Sequence, residues 1–372
     1  MSLALWWLVA DMDGTVLPTP HSAGGRYVPL NDSPAFLPLV AWLQRGGNLA
    51  IVSTAGRRML RQVHAPLLDT LQHPGCGRLL LCGFSGAGLV ANSGRGMLPV
   101  CGYADALCIS ETEAEEVLSI LTNAVHVYVS VLAANPHVID ALSSKYHEPL
   151  RRLLEERRVL GDDVFNCTVL TAAQLTERGR FLRETGDAII DRQLLGELST
   201  GDVTDRRVAQ YCVSGIPLRH FDLAIPAAVR EVLAEKYQLE CRAQPNSVVV
   251  ARQHVDKSAF VEFLRDARHR TNSDGNLDRF PTGLDHVVAL GDCPESVDRP
   301  LTLYPEMVFI SAARAKDVDA SRADNVVYVG DEERGVARFL QQLLVELPSY
   351  TPEPFEMRQR IDVAASTSRQ SL

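Results

Sequence analysis

Leu3-Ala4-Leu5-Trp6-Trp7-Leu8-Val9-Ala10-Asp11-Met12-Asp13-Gly14-Thr15 decides the reading of this chain. An uninterrupted apolar run, residues 3–10, leads directly into two carboxylates spaced two apart. A strand buried on both faces of a parallel sheet has that form, because helices cover both sides and no polar alternation survives. Residues two apart on an extended chain project to the same side, so Asp11 and Asp13 are expected to share one crevice. That crevice lies at the strand's C-terminal end, where open parallel sheets take their ligands. Gly14 permits the sharp exit that brings backbone close to a ligand. The run is too short to cross a bilayer and lacks the basic leader and small-residue cleavage site of a secretory signal. A calcium loop of the EF-hand type would need Gly at its sixth position and Glu at its twelfth. Those positions hold Val16 and Ser22.

Outward from this stretch the same grammar repeats. A helix-like segment at 35–45 precedes a second apolar run at 49–52. Near the other end, 287–290 runs into Gly-Asp, 307–310 is a further apolar run, and 326–329 precedes a helix-like segment at 335–347. The two ends are therefore expected to build one α/β domain, a Rossmann-like parallel sheet with helices on both faces. Between them the texture changes to charged helices (111–121, 149–158, 226–236) alternating with short strand candidates (125–132, 165–170). This predicts core at 1–104, an inserted α+β cap domain at 105–246, core again at 247–350, and a disordered tail at 351–372, which lacks apolar periodicity. Residues 271–283 form a polar loop rich in turn formers.

Composition bounds the rest. At 372 residues and ~150 residues per domain, two domains are expected. Apolar residues make up 46% and charged residues 22%, the balance of a soluble globular chain. A net charge of -9 supplies no basic face for nucleic acid or an anionic membrane. The eight cysteines (Cys76, Cys82, Cys101, Cys108, Cys167, Cys212, Cys241, Cys293) form no CxxC pair. Their scatter predicts free thiols in a reducing, cytoplasmic setting.

Further motifs follow in chain order. Ile51-Val52-Ser53-Thr54-Ala55-Gly56-Arg57 places hydroxyls at the end of the second core strand. His254-Val255-Asp256-Lys257-Ser258-Ala259 puts a lysine at a helix start after the insert, and Ala289-Leu290-Gly291-Asp292 ends a strand in a carboxylate. Tyr328-Val329-Gly330-Asp331-Glu332-Glu333-Arg334-Gly335-Val336 then opens a late helix. With the hhhhDxDGT start, this order resembles the haloacid dehalogenase superfamily, in its Cof-type, sugar-phosphatase-like subgroup with a class 2 cap. The matches cover about half the chain, all in the sheet domain. One position departs: relatives carry a second acid four residues after the first in the fourth motif, and here that position is Ser296. Glu295 and Asp298 are near, and a two-residue insertion would bring Asp298 into the outer metal shell.

The resemblance implies a Mg2+-dependent phosphomonoesterase acting through an aspartyl-phosphate on a small soluble phosphate ester such as a sugar phosphate. Asp11 would be the nucleophile and Asp13 the general acid and base. Asp11, Asp13 (through its carbonyl), Asp292 and Asp298 would serve the metal. Lys257 and a hydroxyl would hold the phosphoryl oxygens, with Thr54 favoured and Ser53 the alternative. Two other readings stay open: a phosphomutase with the same intermediate, and a silent binding protein of the same fold. For the substrate, Arg178, Arg180 and Arg183 are spaced to present more than one guanidinium to an anion, with Arg206-Arg207 a second candidate. Arg151, Arg152, Arg157 and Arg158 flank Glu155 and Glu156 as a salt-bridged helix surface. Gly83-Phe84-Ser85-Gly86-Ala87-Gly88 reads as a turn between core strands, and His254 and His286 as structural.

Overall fold

The computed structural model of the chain describes residues 3–19, 22–23, 27–56, 58–83, 86, 88–93, 96–100, 103, 151, 169–171, 209–212, 233–236, 238–243, 247–253, 255–266, 283–313 and 324–370. Its strands, in chain order, begin with β1 (Trp7–Ala10), β2 (Asn48–Val52), β3 (Leu79–Gly83), β4 (Gly88–Ser93) and β5 (Gly96–Pro99). There follow β6 (Val169–Thr171), β7 (Ala209–Cys212), β8 (Leu239–Ala243) and β9 (Ser247–Arg252), then β10 (Val287–Gly291), β11 (Val308–Ser311) and β12 (Val326–Tyr328). The helices are α1 (Phe36–Gln44), α2 (Ala65–Leu71), α3 (Lys257–Arg265), α4 (Arg299–Thr302), α5 (Glu332–Glu346) and α6 (Pro354–Gln370). Two compact units result: Met1–Ala104 with Arg183–Val203 and Val255–Leu372, and Asp105–Leu182 with Thr204–His254.

The first unit is built on one sheet in the order β12-β11-β10-β1-β2-β3-β4-β5. Strands β12 through β3 run parallel, and β4 and β5 extend the edge as antiparallel hairpins. The chain therefore winds outward twice from the centre, once through β1, β2 and β3 and once through β10, β11 and β12. Its direction of winding reverses between β1 and β10, which is where such sheets open a crevice at their carboxyl ends. Burial explains the apolar runs, since every residue of β1, β2, β3, β10 and β11 is buried. Strand β1 is shorter than its apolar run. Residues 3–6 turn instead, with the Trp6 amide donating to the Leu3 carbonyl at 2.8 Å, and Trp6 Nε1 reaches the Pro352 carbonyl at 3.1 Å.

Buried Asn48 ties the strand beginnings together. Its Nδ2 donates to the Ala4 and Trp6 carbonyls at 2.8 and 3.3 Å, and its Oδ1 accepts from the Arg78 amide at 3.0 Å. The Ala4 carbonyl and the Arg78 amide, which the strand ends leave open, are thereby satisfied. Helix α1 lays Leu39, Trp42 and Leu43 on the sheet, and Trp42 Nε1 donates to the Asn48 carbonyl at 2.9 Å.

The 351–372 stretch is not a disordered tail: α6 occupies Pro354–Gln370 and packs on α5. Its inward face is made of Met357, Ile361, Ala364, Ala365 and Ser368. Small residues let two helices approach closely while contributing little to an apolar count, so the pattern is faint in sequence. Arg360 donates to the Glu346 carbonyl and Arg358 to the Asp324 carbonyl, which uses basic residues that had suggested a solvated segment. Ile361 is fully buried, and Ile361→Ala is expected to destabilise the chain by ~2–5 kcal/mol in chemical denaturation.

The second unit contains an antiparallel sheet in the order β6-β7-β9-β8. Strand β9 belongs to it, so the segment expected to restart the core at 247 still pairs within this unit. The expected elements at 111–121 and 125–132 lie outside the described residues, as do most of 149–158, 226–236 and the 271–283 loop. Among the described residues, no helix is long and apolar enough to cross a membrane. Among the described residues, Cys76, Cys82 and Cys293 form no disulfide.

Candidate active site

Asp11 follows β1 directly, with its amide donating to the Leu290 carbonyl of β10 at 2.9 Å. Its buried carboxylate meets Lys257 Nζ at 2.7 Å, and the same ammonium reaches Asp298 Oδ1 at 2.5 Å. Lys257 is the first residue of α3, whose N-cap Asp256 accepts from the Ser258 amide at 2.7 Å. That cap, a common device for closing a helix start, sets where the lysine begins its reach. Gly86, in the turn between β3 and β4, has φ +102°, and a Cβ there would lie 2.1 Å from the Asp256 carbonyl oxygen. The glycine-rich turn thus joins two core strands, as expected, and seats the lysine-bearing helix as well.

Asp292 follows β10. Thr15 Oγ1 donates to its Oδ1 at 3.3 Å and Cys293 Sγ to its Oδ2 at 3.2 Å. Gly14, at φ +77°, lies so close that a Cβ would stand 2.5 Å from Asp292 Oδ2. Both the left-handed conformation and the contact require glycine. Asp298 is fully buried. The loop after Asp292 turns back on itself, with the Ser296 and Asp298 amides both donating to the Cys293 carbonyl, so that Asp298 Oδ2 accepts from the Cys293 amide at 3.0 Å. Ser296 marks the place where the expected acid is missing, and Asp298 brings a carboxylate to Lys257 from two residues further on.

These groups are electrostatically unbalanced. Asp11, Asp292 and Asp298 can each offer one oxygen with all three within 4.8 Å of one another, and among the described residues Lys257 is the cation in contact with Asp11 and Asp298. Burial pushes the Asp11 carboxyl well above the usual range, with Asp298 and Asp292 adding to the effect and Lys257 opposing it. Burial and the Asp298 charge push Asp292 up to about 6. Burial would lower Lys257, but the Asp11 and Asp298 carboxylates outweigh it and raise it above its ordinary value. A divalent cation with oxygen ligands fits this surplus of negative charge. Asp11 and Asp292 are the side chains suited to hold it. Both oxygens of Asp298 are engaged by Lys257 and the Cys293 amide, which places Asp298 in a supporting position.

A pH dependence follows with a definite sign. In the metal-free chain Asp292 keeps its proton to about 6, against 3.8 ordinarily. This preference stabilises the fold below the ordinary value and is lost as pH rises through the raised one. A divalent cation taking Asp292 as a ligand would have to displace that proton. The rise in melting temperature on adding magnesium is therefore expected to grow from about pH 5 to about pH 7.5, as thermal melts with and without the metal would register.

The hydroxyl motif leaves β2 on the same side of the sheet. Ser53 is buried, its amide donating to the Cys82 carbonyl at 2.9 Å and its Oγ accepting from the Ala55 amide at 3.1 Å. Thr54 is half-buried, and Arg57 lies outside the described residues. Asp13 is engaged by Arg58, whose Nη1 donates to Oδ1 at 3.1 Å while Nη2 closes a second contact to Oδ2. Arg58 was missed in the sequence because it stands one residue beyond the motif. A basic residue spaced to reach an acid 45 positions earlier leaves no periodic trace. His286 lies against Asp285 and the Trp6 ring, in keeping with a structural role. Arg178, Arg180, Arg183, Arg206, Arg207 and His254 fall outside the described residues.

No known protein family's profile matches the chain, and no curated protein matches it. Among solved structures it is similar to a haloacid dehalogenase-like hydrolase from Bacteroides thetaiotaomicron, at 14% identity over 91% of this chain and 99% of that one, with a TM-score of 0.46. It is also similar to the protein TM0651 from Thermotoga maritima, at 12% identity over 94% and 99%, with a TM-score of 0.44. A third is described as a HAD subclass IIB sugar phosphatase, at 15% identity over 87% and 93%, with a TM-score of 0.41. Likeness at this level is silent on chemistry, which has to come from the residues themselves.

Proposed function

We propose that this chain is a magnesium-dependent phosphomonoesterase of the haloacid dehalogenase type, acting through an aspartyl-phosphate on a small soluble phosphate ester, with a sugar phosphate the favoured class. The observation that carries the reading is the cluster of three carboxylates at the β1 and β10 ends, with Asp11 held by Lys257. A phosphate ester repels a lone carboxylate, so a nucleophile of this kind needs cations around the phosphoryl oxygens. Magnesium, when bound, would supply that neutralisation. Lys257 would hold a further phosphoryl oxygen, and Ser53 or Thr54 would donate a hydroxyl to another. Asp11 would attack phosphorus. Asp13 would give a proton to the departing alcohol oxygen and then take one from the water that opens the Asp11 ester.

The second unit, Asp105–Leu182 with Thr204–His254, is proposed as the cap that selects the leaving group, and Arg178, Arg180 and Arg183 are proposed as candidate anion contacts. The substrate is taken to be a small soluble metabolite, since the net charge of -9 gives no general attraction to nucleic acid or anionic membranes. Phosphate release from sugar phosphates, nucleotides and an aryl phosphate, with magnesium and with chelator, tests the proposal. Magnesium-dependent release from at least one ester is expected. Transfer of the phosphoryl group between positions of a sugar without release would identify a mutase, and bound magnesium with neither reaction would identify a binding protein.

A further inference from the structure

We infer that Arg58 is the positioning residue for Asp13, an inference that rests on the phosphatase reading above. The contact is two-pronged, one guanidinium nitrogen to each carboxylate oxygen, a geometry that fixes the plane of a carboxylate as well as its location. The guanidinium is itself fixed. Its Nη1 also donates to Gln62 Oε1 at 2.7 Å, and Gln62, which is buried, donates through Nε2 to the Val28 carbonyl at 2.9 Å. The Tyr27 ring lies under the guanidinium, 4.3 Å from ring centroid to Arg58 Cζ, at a distance where cation and ring attract. Arg58 and Gln62 are one helical turn apart on the segment after β2, so they meet without further ordering.

This support runs from the loop after β1 to the segment before α2 and ends on Asp13. Nothing comparable is needed for Asp13 to serve the metal, because its expected contribution there is a backbone carbonyl. A side chain that must deliver a proton to the leaving oxygen and later remove one from water has to be held in place for both steps. The Asp13 carboxyl loses its proton to the alcohol oxygen as the phosphorus–oxygen bond breaks and the Asp11–phosphorus bond forms. It regains a proton from the attacking water as the Asp11 ester opens. Arg58 takes no part in either transfer and sets where they happen.

Leaving-group dependence separates positioning from general support of the fold. An alkyl alcohol needs protonation as it leaves, whereas an acidic phenol departs as the anion. With the full chain and magnesium, Arg58→Ala is expected to lower kcat/KM for an alkyl phosphate by about 100-fold and far less for dinitrophenyl phosphate. Arg58→Lys should recover part of the loss, and guanidinium ion in solution should recover part of it in Arg58→Ala. Combined with Asp13→Asn, Arg58→Ala should add little. Equal losses on both esters, an unchanged or raised rate on the alkyl ester, or losses that multiply with Asp13→Asn would overturn the inference. Asp11→Asn, run alongside, tests the phosphatase reading separately. If the wild type turns over no ester, crystal structures decide: Asp13 is expected to move in Arg58→Ala, and an Asp13 carboxylate unmoved in that variant would reject its positioning by Arg58.

Discussion

Asp11→Asn is expected to remove phosphate release altogether, by about 1,000-fold or more, while leaving the chain folded and no less stable than the wild type. Both halves follow from the same surroundings. The amide keeps the shape of the carboxyl but cannot form the ester to phosphorus, so the covalent route closes. Asp11 is also a buried acid pressed by Asp298 and Asp292, and removing one like charge from such a cluster relieves repulsion. Phosphate release and a thermal melt on the same preparation check this. Lost turnover with an unchanged or higher melting temperature is the expected pair of results. Retained turnover would remove Asp11 from the chemistry, and a collapsed melt would recast it as a structural acid.

Lys257→Met tests the opposite side of the balance. The lysine is almost wholly buried between Asp11 and Asp298. Methionine is close in shape but leaves two buried carboxylates facing each other without a cation. Removing one partner from a buried ionic group commonly costs ~3–5 kcal/mol, because the remaining charge is left uncompensated. The loss should be largest at neutral pH and smaller in mild acid, where the orphaned carboxylates can take up protons. Denaturant titrations at the two pH values measure it. A variant as stable as the wild type at neutral pH would mean that the lysine is not carrying this charge balance. Turnover should fall as well if Lys257 holds a phosphoryl oxygen as proposed.

The sequence was most legible where both faces of a strand are buried. Residues 49–52 and 287–290 read correctly because a continuous apolar run bounded by polar residues has few other uses, and Ser53 and Asp292 stand directly beyond the ends of those strands. Asp298 was accessible only by allowing for an inserted pair after Asp292, and the loop does turn back to bring it to Lys257. The start of β1 was less legible, since Leu3 and Trp6 are buried beside the strand without belonging to it. Helix α6 was missed because alanine and serine on its inner face satisfy packing without marking a stripe. Arg58 could not be found by spacing at all: its partner lies on another strand's loop, and only folding puts them together.

The reversal of winding between β1 and β10 has a consequence for how the chain is made. The central pair of the sheet joins Trp7 to Val287, so one edge of the strand leading to Asp11 lacks its partner until the ribosome has reached Val287. At ~5–20 residues per second, that interval is roughly 15 to 55 s. Through it the nascent chain carries an apolar strand with an open edge, of the kind that recruits wrong neighbours. The lysine and the two later carboxylates that complete the cluster emerge only at the end of the same interval. A product aborted before residue 257 therefore contains Asp11 and Asp13 without Lys257, Asp292 or Asp298, and under the proposed activity phosphate release would be a readout of synthesis past that point.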